Sequence, residues 1–272
     1  MDGEQHSGRM LGEFLRAKRS RTRPERFGIT TGRRRVVGLK REEVATLAGI
    51  STDYYQRVEQ GRVVPSDHVL AAIGKVLELD ETELFYLRSI ARPHPPGPII
   101  ASVPDNIDAL VSAINDLPVF VIDGMRNVLR WNRLAAQLIC DFGSLASVER
   151  NMARLLFTDP DMRTLYGDWE TYARQTVAAL RRMSAMDPDW PQLRELIDDL
   201  VVTAPEFAQW WGLHEVGEKI AGTKTIHHPR VGTLRLNYQT LVVNGAPDFM
   251  EMFVYLPADS DAHARLRRLS PS

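Results

Sequence analysis

The sequence predicts two domains of different class, an all-α helix-turn-helix domain of five helices followed by an α+β domain whose single antiparallel sheet is covered by helices. Three observations predict it. The run Arg92-Pro93-His94-Pro95-Pro96-Gly97-Pro98 places four prolines in six positions, which disfavours helix, removes backbone donors and biases the chain toward extended forms. Before that run apolar residues recur at helical spacing with no convincing strand; after it, alternating runs are mixed with helical ones. A chain of 272 residues is also longer than one small domain needs. The resulting division is a first domain at 1–92, a linker at 93–104 and a second domain at 105–272.

Composition narrows the function classes. The formal net charge is -1, but residues 1–75 carry 15 basic and 9 acidic side chains, leaving 19 basic and 26 acidic in the remainder. The first part is therefore suited to an anionic partner and the second is not. Cys140 is the only cysteine, which excludes an internal disulfide framework and cysteine-rich zinc sites and fits a reducing compartment. No apolar run approaches the ~18 residues of a membrane helix, so a cytoplasmic, nucleoid-associated protein with no membrane partner is expected.

The helices of the first domain follow from their stripes and stops. Leu11, Phe14 and Leu15, with Lys18 and Arg19 beyond them, form an amphipathic helix with a basic outer face. Pro24, Gly28, Gly32 and Gly38 then break the pattern across an extended basic loop that contains Arg33, Arg34 and Arg35. Residues 9–41 hold 12 basic and 2 acidic side chains, enough to neutralise several phosphates. The three arginines either follow a nucleic-acid backbone or enter a minor groove. Helical spacing resumes at Lys40 with Val44, Leu47 and Ala48 inward, stops at Gly49, and restarts after Ser51, a favoured N-cap. Two more helices are expected over Ser66–Leu79 and Glu81–Ala91.

Arg41 to Gly61 carries the constraints of a helix-turn-helix. Ala45 is small where two helices cross, Gly49 sits where the turn favours positive φ, and Ile50, Tyr55 and Val58 pack the second helix on the first. Thr52, Asp53, Tyr54, Gln56 and Arg57 then face outward at the helix start, able to reach base edges in a major groove. Ala45, the run Leu47-Ala48-Gly49-Ile50-Ser51 and the pattern Tyr54-Tyr55-x-x-x-Glu59-x-Gly61-Arg62 resemble the Cro and phage-repressor class, the XRE family. That resemblance implies that Ser51, Thr52, Asp53, Tyr54, Gln56 and Arg57 meet the DNA, with Arg41 and Gln60 on phosphates. A solvated helix face is the other reading of Arg41 and Arg57, and Asp53 equally suits a carboxylate favoured by the helix dipole. The basic loop departs from compact members of the class, which join the first two helices almost directly.

In the second domain Val119 to Ile122 is a short apolar strand, Asp123-Gly124 a hairpin turn and Asn127 to Trp131 the returning strand. Helices are expected at Arg133–Cys140, Arg150–Phe157, Asp161–Met183, Trp190–Thr203 and Pro205–Trp211. Strands follow at Thr223–His228, Thr233–Val243 and Phe249–Leu256, and a short basic helix ends the chain. The order resembles a PAS-like sensor. The motifs Trp131-Asn132, Arg150-Asn151, Leu155-Leu156-Phe157, Gly167-Asp168-Trp169, Pro205-Glu206-Phe207 and Trp210 resemble the MmyB-type ligand-binding domain. So do His214-Glu215-Val216, Gly222-Thr223-Lys224, His227-His228-Pro229, Gly232, Leu234 and Tyr238.

That resemblance implies a small apolar or amphipathic ligand, with fatty acid as the species. Trp131, Phe157, Trp210, Trp211 and Leu236 would line a pocket between sheet and helices, and Asn132, Arg154, His214, Lys224, His228 and Tyr238 would supply its polar contacts. Plain core packing is the other reading of the aromatics. His227 and His228 point to opposite faces of their strand, so no metal site is expected. No nucleophile elbow, phosphate loop or zinc-protease pattern is present, so no catalytic residue and no enzyme activity are expected. The sequence thus predicts a homodimeric regulator on a palindromic duplex, modulated by a small ligand. The alternative is a regulator whose second domain binds a protein, as a scaffold or antitoxin-like partner.

Overall fold

The structure, a computed structural model, describes residues 2–29, 37–92, 103–188, 190–216, 221–243 and 249–269, with side chains from Gly8 onward. The proline run after Arg92 and the Arg33–Arg35 run lie outside the described residues. The chain falls into two compact units. The first takes Met1–Pro96 with Arg181–Arg194 and Trp210–Gly217; the second takes Gly97–Leu180, Glu195–Gln209 and Glu218–Ser272.

The first unit holds the five expected helices, α1 (Asp2–Arg21), α2 (Arg41–Ala48), α3 (Thr52–Glu59), α4 (Asp67–Val76) and α5 (Glu81–Ala91). Their apolar stripes meet in one core. Leu11, Phe14 and Leu15 of α1 pack with Val44 and Ala45 of α2, Tyr55 and Val58 of α3, Leu70 and Ile73 of α4, and Tyr86, Leu87 and Ile90 of α5. Ala185 and Val216 belong to the same buried set. Gly49 takes the left-handed conformation at φ +69°, which ends α2 in the turn. Ser51 and Ser66 cap the helices that follow, each accepting a bond from the backbone N–H three residues on. The fourth helix stops at Val76, short of the expected Leu79, because Glu78 adopts φ +54°. Helix α1 and the end of α3 approach backbone to backbone. A Cβ on Gly12 would lie 2.3 Å from the Glu59 carbonyl oxygen, so no side chain fits there.

Glu59 ties three of these helices together. Its buried carboxylate accepts from Arg19 Nε and Nη2 at 2.9 and 3.0 Å, and from Arg41 Nε and Nη2 at 3.0 and 2.9 Å. Arg19 Nη1 also donates to the Leu39 carbonyl at 2.9 Å, anchoring the entry to α2. Burial alone would raise the Glu59 pKa; the hydrogen bonds and charge of Arg19, then of Arg41, outweigh it and hold the carboxyl below its ordinary range.

The second unit is built on one antiparallel sheet of β1 (Val119–Ile122), β2 (Val128–Trp131), β3 (Ala221–His228), β4 (Gly232–Val242) and β5 (Glu251–Pro257), in the order β2-β1-β5-β4-β3. With a helical middle between β2 and β3, this is the expected α+β, PAS-like arrangement. Strand β1 lies inside the sheet, between β2 and β5, and is apolar on both faces. Phe120 and Ile122 enter the main core, while Val119 and Val121 pack on the opposite side with Val111 and Ile107 of α6 (Asp105–Ala113). Helix α6 has no counterpart in the expectations above, since its polar residues leave only a thin apolar stripe.

Helices α7 (Arg133–Leu138), α8 (Met152–Thr158), α9 (Pro160–Leu165), α10 (Trp169–Met186), α11 (Pro191–Thr203), α12 (Pro205–Gly212) and α13 (Ser260–Leu269) complete the chain. Two expectations are corrected. The helix expected over Asp161–Met183 is two helices, because Tyr166 bridges to Ile226 and Gly167 N–H donates to the Thr225 carbonyl at 2.9 Å, pulling the chain onto the edge of β3. The hairpin between β1 and β2 is not a two-residue Asp-Gly turn. It spans Asp123 to Asn127, with the positive φ at Arg126, whose guanidinium pairs with buried Glu251 at 2.7 Å. At the other edge, Val128 N–H donates to the Arg150 carbonyl at 2.7 Å and Asn127 bridges to Asn151.

Glu59→Ala should lower the unfolding free energy by about 3–5 kcal/mol, since it leaves Arg19 and Arg41 facing an emptied site. Exposed Glu81→Ala should change it by less than about 0.5 kcal/mol. Urea melts followed by circular dichroism measure both. Because the folded Glu59 pKa lies below the unfolded value, its contribution is complete at neutral pH. It is lost as pH falls from about 4.3 through the folded pKa.

Candidate functional sites

The first site is the outward face of α3. Tyr55, Val58 and Glu59 point inward, at the spacing i, i+3, i+4, and this phase turns Thr52, Asp53, Gln56 and Arg57 to solvent. Ser51 Oγ accepts from Tyr54 N–H at 3.1 Å, so its hydroxyl serves the helix start. Tyr54 is half-buried against the core, and Gln60 is exposed at the C-cap. Arg41 is drawn inward by Glu59, although its side chain keeps 44% exposure. Thus the residues expected to read bases lie together on one exposed, polar face, while Arg41 also belongs to the scaffold. The Arg33, Arg34 and Arg35 expectation lies outside the described residues.

The second site is the helix-covered face of the sheet. Lys224, Ile226 and His228 share that face of β3 through the strand's alternation. Lys224 Nζ sits within 4.6 Å of the Tyr172 ring centroid, 4.8 Å of Tyr238, 5.3 Å of Tyr255, 5.4 Å of Tyr166 and 6.0 Å of Phe253. It donates to Tyr255 Oη at 3.1 Å and, among the described residues, pairs with no carboxylate. The buried Tyr166 hydroxyl interacts with that of Tyr255. Burial, and then the charge of Arg126, push the Lys224 pKa down to about 7. Burial foremost also raises the pKa of Tyr255 well above its ordinary value, so its hydroxyl stays protonated.

The other expected contact residues divide by what they touch. Asn132 is fully engaged. Its Oδ1 accepts from Val119 and Ala135 N–H, and its Nδ2 donates to the Ile114 and Leu117 carbonyls. His228 is engaged at both ring nitrogens, Nε2 against the Gln137 carbonyl at 2.9 Å and Nδ1 against Arg230 N–H at 3.2 Å. Burial foremost lowers its pKa. Arg154 pairs with Asp199, and Trp131 packs on Phe142 with the Arg150 guanidinium 5.5 Å above it. Phe157 meets Trp169 and Phe207 edge-on. Tyr238 stacks beside Phe253 and joins the lysine cage.

Trp210 and His214 fall in the first unit with Trp211. There the Arg181 guanidinium stacks 4.1 Å from the Trp211 ring, donates to the Trp211 carbonyl and lies 3.1 Å from His214 Nδ1. Burial, then the neighbouring Arg181 charge, drive the His214 pKa down to about 4, so its ring is neutral and Nδ1 accepts. Tyr166, Tyr172, Phe253 and Tyr255 escaped the sequence reading, and so did Glu59 as a hub. The alternation of β5 places Phe253 and Tyr255 on the same face as Lys224, a signal that was present. The inward turn of Tyr166 and Tyr172 depends on the break between α9 and α10.

An exposed reading helix in a helix-turn-helix, joined in one chain to an α+β domain with polar groups enclosed on its inner face, defines a ligand-binding transcription regulator. Residues 10–85 match the family model of a helix-turn-helix domain. Residues 103–269 match the model of the MmyB-like transcription regulator ligand binding domain, and the chain belongs to that family. Both are families of transcription regulators, not of enzymes. Comparison with curated proteins found no match. No helix among the described residues is long and apolar enough to cross a membrane, and no group of three or more metal-ligating side chains lies together among them.

Lys224→Met removes an enclosed amine whose protonation is opposed by its surroundings, so it should stabilise the protein at pH 7, on the order of 3 kcal/mol. Between pH 7 and about 10.4 the unfolded chain binds this proton and the folded chain does not. Wild-type stability should therefore rise with pH in that window and the gap should close. Denaturant melts of both proteins across the range measure it.

Proposed function

We propose that the protein is a homodimeric regulator that binds a palindromic promoter element and alters its occupancy when a small apolar or amphipathic ligand enters the second domain. The observation that carries this reading is the enclosed Lys224 amine, with an aromatic wall around it and no carboxylate of the described chain beside it. An apolar wall with a single cationic group suits a ligand that has a hydrocarbon body and an acidic end. Fatty acid, implied by the family resemblance, has that form.

On the DNA side, Thr52, Asp53, Gln56 and Arg57 are placed to meet base edges, with Arg57 suited to guanine. Ser51 and Tyr54 fix the start of the reading helix. Gln60, Arg41 and the Arg33–Arg35 run supply phosphate contacts that position the helix without reading sequence. The ligand needs to shift the balance between binding and non-binding forms by only ~1–3 kcal/mol to change occupancy. A cytoplasmic location beside the nucleoid follows from this role.

Fluorescence anisotropy of the full chain on its own promoter fragment and on a scrambled duplex, at moderate salt, tests the reading. The promoter should be preferred by at least tenfold, and decanoic acid should shift that affinity measurably. Equal affinity for both duplexes, or no response to decanoic acid together with no lipid-sized mass on the freshly purified protein, would overturn it. Arg57→Ala should cost about 1–3 kcal/mol on the promoter and leave binding to the scrambled duplex nearly unchanged.

A further inference from the structure

The cage around Lys224 has more chemistry than an acid-headed ligand requires. A cation site for a carboxylate is usually an arginine or an exposed lysine, which stays charged and offers several donors. Here the side chain is a primary amine with four tyrosine rings and a phenylalanine within 6.0 Å of Nζ, and a phenol at 3.1 Å. Tyr166, Tyr172, Tyr238 and Tyr255 are buried, while Phe253 and Lys224 itself are partly exposed. Surroundings of this kind favour the neutral amine, which is a nucleophile. The pKa near 7 agrees with that.

We propose that Lys224 is a carbonyl-sensing residue, condensing reversibly with an apolar aldehyde to form an imine inside the second domain. The inference rests on the ligand-sensor reading above and names a further ligand class for the same site. In the first step the Nζ lone pair forms a bond to the carbonyl carbon, the C=O π pair moves to oxygen, and a proton passes from nitrogen to that oxygen. In the second step the carbinolamine C–O bond breaks and the oxygen leaves as water with the proton of Tyr255 Oη. The nitrogen lone pair then closes the C=N bond, and the remaining N–H proton returns to Tyr255. Aldehyde plus amine thus gives imine plus water, with no change of oxidation state and Tyr255 restored. The tyrosine's high pKa keeps it protonated for the water-loss step.

The full-length protein should be incubated with decanal and sodium cyanoborohydride near neutral pH and mapped by peptide mass spectrometry. A decyl group should appear on the Lys224 peptide at least roughly a hundredfold faster than on Lys18, Lys40, Lys75 or Lys219, given the small neutral fraction of an ordinary lysine. Lys224→Arg, which has no nucleophilic amine, should abolish that adduct. Tyr255→Phe, which keeps the ring and removes the phenol, should slow trapping by about tenfold or more. Binding of decanal or decanoic acid by native mass spectrometry with no adduct on Lys224, or with adducts spread evenly over the lysines, overturns the imine and leaves the sensor intact. Failure of both ligands to bind overturns both.

Discussion

The carboxylate of Glu59 is the contact on which the DNA-reading half of the molecule depends. It is buried at the end of α3, beneath the crossing of α1; guanidiniums from two helices converge on it, Arg19 and Arg41 by hydrogen bonds and Arg16 of α1 at 3.7 Å. A buried charge is costly unless its partners are supplied with good geometry, and here four N–H groups supply them. The same contact sets the rotation of α3. With Tyr55, Val58 and Glu59 facing inward, the polar residues between them have only the solvent side left. The reading face is therefore defined from behind, by the ion pairs and the tight approach at Gly12.

The second unit treats an enclosed charge in the opposite way. Arg126 has Glu251, but Lys224 has aromatic faces and one phenol. Aromatic rings attract a cation, yet they do not replace the water or carboxylate that would hold it fully charged. The result is an amine whose pKa is held well below the ordinary lysine value. Stability is given up at this position, and such positions in cores are where ligands and chemistry are found.

Much of this was legible in the residues, and the limits have physical causes. The five helices of the first unit follow from stripes such as Leu11, Phe14 and Leu15, and from stops such as Gly49 and Ser51, because helix ends are governed by local backbone chemistry. The apolar run Val119 to Ile122 likewise marks an interior strand, buried on both faces. What escaped were features decided by distant partners. The split between α9 and α10 is made by a bridge to β3, some sixty residues along the chain, and the wide loop at Arg126 by its pairing with Glu251. Glu59 stands at an inward phase of α3, but the arginines that make an inward carboxylate tolerable come from α1 and α2. Similarly, Lys224 is readable as an inward lysine of β3, while three of its five rings come from β4 and β5 and two from the α9–α10 region.

Both margins of the sheet are occupied by short stretches of the chain itself. Tyr166 and Gly167 lie along β3, and Arg150 and Asn151 lie along β2. An open margin is a template onto which another polypeptide can zip, the usual route to runaway strand-to-strand polymers. Capping both ends means that a second copy cannot join by extending the sheet at these points.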